Sequence, residues 1–196
     1  MCKKYTYIKK IYMKKAIVIN IMGGPGAGKS TLASILFANL KMNGVSCEYV
    51  TEYAKDVVWE KRLNLFNDQL YILSKQYRRI KRVSSEVDVV ITDSPLLLSL
   101  YYNSQIKDIE DRITEPVLRS LILELNNKFN NYYYFIERAH KYETKGRYQT
   151  EEESNIISAE IKNILIDLNI NFKSLPSGKE TVNKILKELK GIINDK

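Results

Sequence analysis

The run Gly23-Gly24-Pro25-Gly26-Ala27-Gly28-Lys29-Ser30 fits the pattern G-x-x-x-x-G-K-[ST]. Residues of these types at this spacing suit phosphate binding. Glycines let successive backbone N–H groups curl inward into an anion nest. A helix starting near Ser30 adds its unpaired N–H groups and the positive end of its dipole. Lys29 can reach the β- and γ-phosphates, the Ser30 hydroxyl can hold Mg2+, and Thr31 is expected to face the α-phosphate region. ATP and Mg2+ are therefore the expected cofactors.

Two carboxylates extend this chemistry. Val89-Val90-Ile91-Thr92-Asp93 reads as an apolar strand ending in an acid. That places Asp93 at the carboxyl edge of a sheet, where ligands of open α/β folds sit. There Asp93 would bind Mg2+ directly or through water, or take a proton from an acceptor; capping a helix is the alternative. Glu52 ends the preceding strand and should lie at the same edge, where a carboxylate orients or deprotonates a hydroxyl; a cap or a salt bridge is the alternative. Tyr53 and Trp59 follow it as candidates for stacking on a nucleobase, or as core. Between Glu137 and Thr150 the chain carries Arg138, Lys141, Lys145 and Arg147. It has the composition of a lid that brings positive charge to a transferring phosphoryl group, with Arg138 and Arg147 the foremost candidates. His140 is the only histidine, so multi-histidine metal chemistry is excluded.

These groups need a scaffold that collects strand ends. Residues 16–22, 45–50, 87–92, 132–136 and 170–175 read as five strands. Helical patterns lie between and after them: Ser30 to Met42, a long helix capped by Asn67 with Leu70, Leu73, Tyr77 and Ile80 on one face, one opened by Pro116, and one from the capping box Thr150–Glu153 through about Leu168. A last helix spans about Glu180 to Ile193. Strands alternating with helices imply parallel pairing and a three-layer α/β/α domain over residues 16–196.

The chain has 196 residues, 44% hydrophobic and 28% charged, enough to bury a core and too apolar for wholesale disorder. Six of its eight net positive charges are Lys3, Lys4, Lys9, Lys10, Lys14 and Lys15, with no acid among the first 15 residues. The basicity thus sits in an N-terminal tail, 1–15, rather than on the domain; it reads as an unstructured leader, or as an arm touching a phosphate backbone. Met13 is an alternative start. Two cysteines, Cys2 and Cys47, without ligand spacing fit a reducing, cytoplasmic setting. No apolar run reaches the length of a membrane span, and no signal peptide is evident.

The phosphate-binding run, the Asp93-Ser94-Pro95 tripeptide and the basic segment together resemble the P-loop kinase family of nucleoside and nucleotide kinases. Glu52-Tyr53-Ala54-Lys55-Asp56, Asp68-Gln69-Leu70-Tyr71, Asp93-Ser94-Pro95-Leu96-Leu97-Leu98 and Gly146-Arg147-Tyr148-Gln149-Thr150-Glu151-Glu152-Glu153 are similar to small kinase/ATPase-like proteins common in bacteriophage genomes. Ribosylnicotinamide kinase domains look like more distant relatives. The resemblance implies a five-stranded parallel sheet in the order 2-3-1-4-5 and an acceptor held between the second strand, the long helix and the lid. Carried over by position, Lys29 and Ser30 bind phosphate and Mg2+, Asp93 is the metal-linked carboxylate or base, and Glu52 lies on the acceptor side.

Hydrolases of this class often place a Glu beside the strand-end Asp, where this chain has Ser94, and the helical second domain of AAA+ machines has no counterpart here. Both points favour transfer to an acceptor. That acceptor would be a nucleoside-type hydroxyl, free or within DNA such as a 5-hydroxymethylpyrimidine in host-cell cytoplasm. A nucleoside monophosphate would instead call on Arg62, Arg78, Arg79 and Arg82. A regulatory ATPase module is the further alternative. Oligomeric state stays open.

Overall fold

An uncharged β-branched run is stable as a strand only where both faces are covered. In the computed structural model, which describes residues 16–143 and 149–194, Ile17–Met22 forms such a strand, β1, buried along its whole length. It pairs in parallel with β3 (Val89–Thr92) on one side and β4 (Asn130–Glu137) on the other. β2 (Cys47–Val50) adds outside β3, and β5 (Phe172–Pro176) outside β4. The order is β2-β3-β1-β4-β5, as the resemblance implied.

The side-chain alternation of a strand sorts the core into two layers. Ile17, Ile19 and Ile21 pack with α1 (Lys29–Met42) and α7 (Lys179–Asn194). Val18 and Met22 pack with α3 (Gln69–Val83), α4 (Leu98–Ser104), α5 (Glu115–Asn126) and α6 (Glu151–Asp167). The three-layer architecture expected from the alternating pattern is present. A smaller cluster of Tyr53, Val57 and Ile72 joins α2 (Tyr53–Trp59) to α3. Asn20, buried within β1, is satisfied by the Val18 carbonyl at 3.1 Å and the Asn131 side chain at 2.9 Å.

Register aligns the functional ends. Asn20 pairs with Thr92, and Thr92 with Val50, so Gly23, Glu52 and Asp93 follow their strands out at one edge of the sheet. The capping box forms in full: the Glu153 N–H donates to the Thr150 hydroxyl at 3.2 Å, and the Thr150 N–H to the Glu153 carboxylate at 2.7 Å.

Two expectations need correction. The cap of α3 is Asp68, whose carboxylate accepts from the Tyr71 N–H at 2.8 Å; Asn67 ends a short 3-10 turn, Leu63–Asn67. Leu70 is half exposed, because Gln69, Ile72, Leu73, Gln76 and Ile80 form the buried stripe. Two buried glutamines at helical spacing hide the true phase from a count of apolar residues. Cys47 is buried and free, and burial pushes its thiol up; Cys2 and the lysine tail lie outside the described residues. Among the described residues, no helix is long and apolar enough to cross a membrane.

Candidate active site

β1 runs directly into the phosphate-binding loop. Gly23 has φ +144°, and a Cβ there would lie 2.6 Å from the Ile136 carbonyl oxygen. At Gly24 a Cβ would lie 2.7 Å from the Ser158 Cβ and 2.9 Å from the Ser154 carbonyl oxygen. Glycine is thus required at both positions, by backbone conformation at the first and by the closeness of α6 at the second. The Ser154 hydroxyl, on the first turn of α6, donates to the Pro25 carbonyl at 2.6 Å. The loop ends at Gly28, and α1 begins at Lys29, whose ammonium reaches back to the Gly24 carbonyl at 2.9 Å. The first N–H groups of α1 therefore face the hollow that the loop encloses.

The loop opens into a cleft of about 560 Å³. Gly23, Pro25, Gly26, Gly28, Lys29, Ser30 and Thr31 line one wall. The other wall includes Glu52, Lys55, Phe66, Gln69, Ile72 and Tyr102. Asp93 sits between them, 2% exposed. Its Oδ2 accepts from the Ser30 hydroxyl at 2.5 Å and from the Lys55 ammonium at 3.2 Å. The same ammonium lies 2.8 Å from Ser30 Oγ. Asp93 does not cap α4, whose N-cap is Leu97.

The Ser30–Asp93 pair fits a magnesium ion. Both are hard oxygen donors at the mouth of a phosphate site. Asp93 Oδ1 is buried with no hydrogen-bond partner, a spare acceptor that a cation or its water would use. Among the described residues, no group of three or more His, Cys, Asp or Glu could hold a metal unaided. That agrees with an ion that depends on phosphate oxygens for much of its coordination.

Glu52 is the N-cap residue of α2, but its side chain makes no capping bond. Burial pushes its carboxyl above the usual range, against the opposing pull of Lys29 and Lys55 and with help from the negative charge of Asp93. A carboxylate so tuned is suited to take a proton from a hydroxyl.

Other candidate residues lie elsewhere. The Arg138 guanidinium points to α6, donating to Glu151 at 3.0 Å and Asn155 at 2.7 Å and stacking over Tyr142. It lines a separate hollow behind Gly24 and Pro25. Arg147 and Lys145 fall outside the described residues. His140 lies 3.0 Å from the Ser177 hydroxyl, close to Gly28. Tyr53 is buried, edge-on to Tyr71, and Trp59 is exposed; neither lines the cleft. Arg62 pairs with Glu60 and Arg79 with Asp56, while Arg78 and Arg82 are exposed. None of these four arginines lines the cleft.

Reasoning from the residues did not single out Lys55, Gln69, Gln76 or Tyr102. Lys55 had a usable signal, since it stands three residues after Glu52 and so shares its helix face. The glutamines had none. Gln76 ties the Tyr53 N–H at 2.9 Å to Thr92 at 3.3 Å, and Gln69 donates to the Phe66 carbonyl at 3.0 Å.

The fold is shared with NadR, whose crystal structure in complex with NR superposes with a TM-score of 0.61 at 19% identity. The match covers 84% of this chain but 46% of that one, so the protein spans less than half of NadR. No curated protein matches. The sequence model of the AAA domain matches residues 18–181, a span running from β1 through the loop, Asp93 and the capped helix, and on that match the chain belongs to the AAA domain family.

Proposed function

We propose that the protein is an ATP-dependent phosphotransferase that moves the γ-phosphoryl group to a hydroxyl of a nucleoside-type acceptor, free or within a polynucleotide. The observation that carries this reading is the shared cleft. The phosphate loop forms one wall, and Glu52 lies across it with room for a second molecule. A water-splitting site needs no such room.

The backbone N–H groups of residues 26–30 and the Lys29 ammonium would bind the phosphates. Ser30 and Asp93 would hold a magnesium ion, which would supply positive charge against the phosphates. The acceptor oxygen attacks phosphorus in line, the bond to the β–γ bridging oxygen breaks, and that electron pair leaves with ADP. Glu52 takes the hydroxyl proton. Phe66, Ile72 and Tyr102 offer apolar walls for a flat ring and help exclude water.

An uncharged acceptor is preferred to a monophosphate on one observation. Among the described residues, the basic side chains lining the cleft are Lys29 and Lys55, and the four candidate arginines are not among them. An acceptor phosphate would be left without a guanidinium.

The test is γ-labelled ATP with a panel of nucleosides, monophosphates and duplex DNA containing 5-hydroxymethylpyrimidines. Label on a nucleoside hydroxyl is the expected result. Label on DNA, falling steeply with salt, points to the polymeric acceptor. Phosphate released with no acceptor labelled overturns the reading.

A further inference from the structure

We infer that Lys55 is a second phosphate-binding lysine, which occupies the Ser30–Asp93 pair until nucleotide arrives and then contacts the γ-phosphate. The placement is direct. The Lys55 ammonium lies 2.8 Å from Ser30 Oγ, one of the oxygens suited to magnesium, and 3.2 Å from Asp93 Oδ2, on the carboxylate whose other oxygen is spare for the ion. It thereby gives the buried Asp93 carboxylate a counter-charge.

A divalent ion and an ammonium cannot share those oxygens, because they repel at contact distance. Lys55 must therefore yield when the metal–nucleotide complex enters. Its four-carbon stem rises from α2, on the wall facing the phosphate loop, so the released ammonium stays in the cleft. The strongest anion to enter that cleft would be the terminal phosphate of the nucleotide.

This also brings positive charge to the transferring group. Charge spreads over the γ-oxygens during transfer, and cations stabilise it. Arg138 is engaged with Glu151 and Asn155 outside the cleft, and Lys29 serves the loop. Among the described residues, Lys55 is the remaining basic side chain of the cleft lining. In the step proposed above the hydroxyl proton goes to Glu52 and the bridging oxygen leaves with ADP; Lys55 keeps its protons throughout. The inference rests on that reading only for its catalytic consequence, since both of its measurements are of binding.

The experiment compares wild type with Lys55→Met. Mn2+ binding to nucleotide-free protein is followed by electron paramagnetic resonance, and binding of ADP and a non-hydrolysable ATP analogue by calorimetry in Mg2+. Losing a competing cation should tighten Mn2+ about tenfold, whereas losing a γ-phosphate contact should weaken the ATP analogue about tenfold with ADP little changed. Mn2+ binding that is unchanged or weaker overturns the inference. So does equal weakening of both nucleotides, the signature of a merely structural lysine. Should Lys55→Met fail to fold, Lys55→Gln carries the same two readouts. An acceptor panel that gains no label, alongside the expected binding results, would overturn the phosphotransferase reading while leaving Lys55 its role.

Discussion

On one wall of the cleft, Gly23 and Gly24 are pressed against Ile136 and α6, and Ser154 holds the Pro25 carbonyl. On the other, α2 rests on a satellite cluster of Tyr53, Val57 and Ile72 and on partly exposed pairs such as Arg79 with Asp56. The first wall is continuous with the main core and has no room to yield. The second is tied by a few polar contacts that solvent weakens. A site that must recognise one constant group and then close on a second molecule benefits from such a division, with the rigid part set for the phosphates and the adjustable part for the acceptor.

The sharpest way to break that contrast is Lys29→Ala. Turnover should fall about 1000-fold or more, since the lysine bonds to the loop and, in the proposed role, grips the phosphates; phosphate release measures it. Glu52→Gln should lower kcat about 100-fold while leaving ATP binding intact. A raised carboxyl also sets a pH signature. The active base is the ionised form, so the acid limb of kcat should lie above the ordinary carboxylate range. Stability runs the other way. With its folded pKa raised, Glu52 favours the fold when protonated, and that advantage is lost as pH rises through the raised value. Glu52→Gln should therefore raise the melting temperature of the nucleotide-free protein at neutral pH, a gain that vanishes in acid.

Gly24→Ala tests the rigid wall directly. Its Cβ would overlap Ser158 and Ser154, so about 1–3 kcal/mol of stability should be lost, with weaker ATP binding, by thermal denaturation and calorimetry. The smallest effect is expected on the yielding wall. Asp56→Asn should cost roughly 0.2–1 kcal/mol and shift the acceptor KM more than the ATP KM. An equal shift in both would mean the two walls act as one.

The same contrast decided what the sequence could reveal. The rigid wall needs glycines at set positions and a lysine at one offset, so Gly23 to Ser30 stands out in the chain. The capping box at Thr150 is likewise a local code, and it formed as written. The yielding wall has little local code beyond the three-residue offset of Lys55 from Glu52. Lys55 meets Ser30 and Asp93 across separations of 25 and 38 residues, which only the folded sheet edge brings together. Gln69 and Gln76 carry no apolar signal, yet they are buried, where they bond to the Phe66 carbonyl, the Tyr53 N–H and the Thr92 hydroxyl. The helix α4 follows a proline and a leucine run that suited a strand or a turn equally well.

The bond from Ser154 to Pro25 joins the start of α6 to the far end of β1 across 129 positions of chain. The first turn of α6 behaves as a keystone, for if it unravels the arch over the nucleotide slackens. It also follows directly on the basic segment after β4. A substitution on that turn would thus loosen the phosphate-binding loop from outside the cleft.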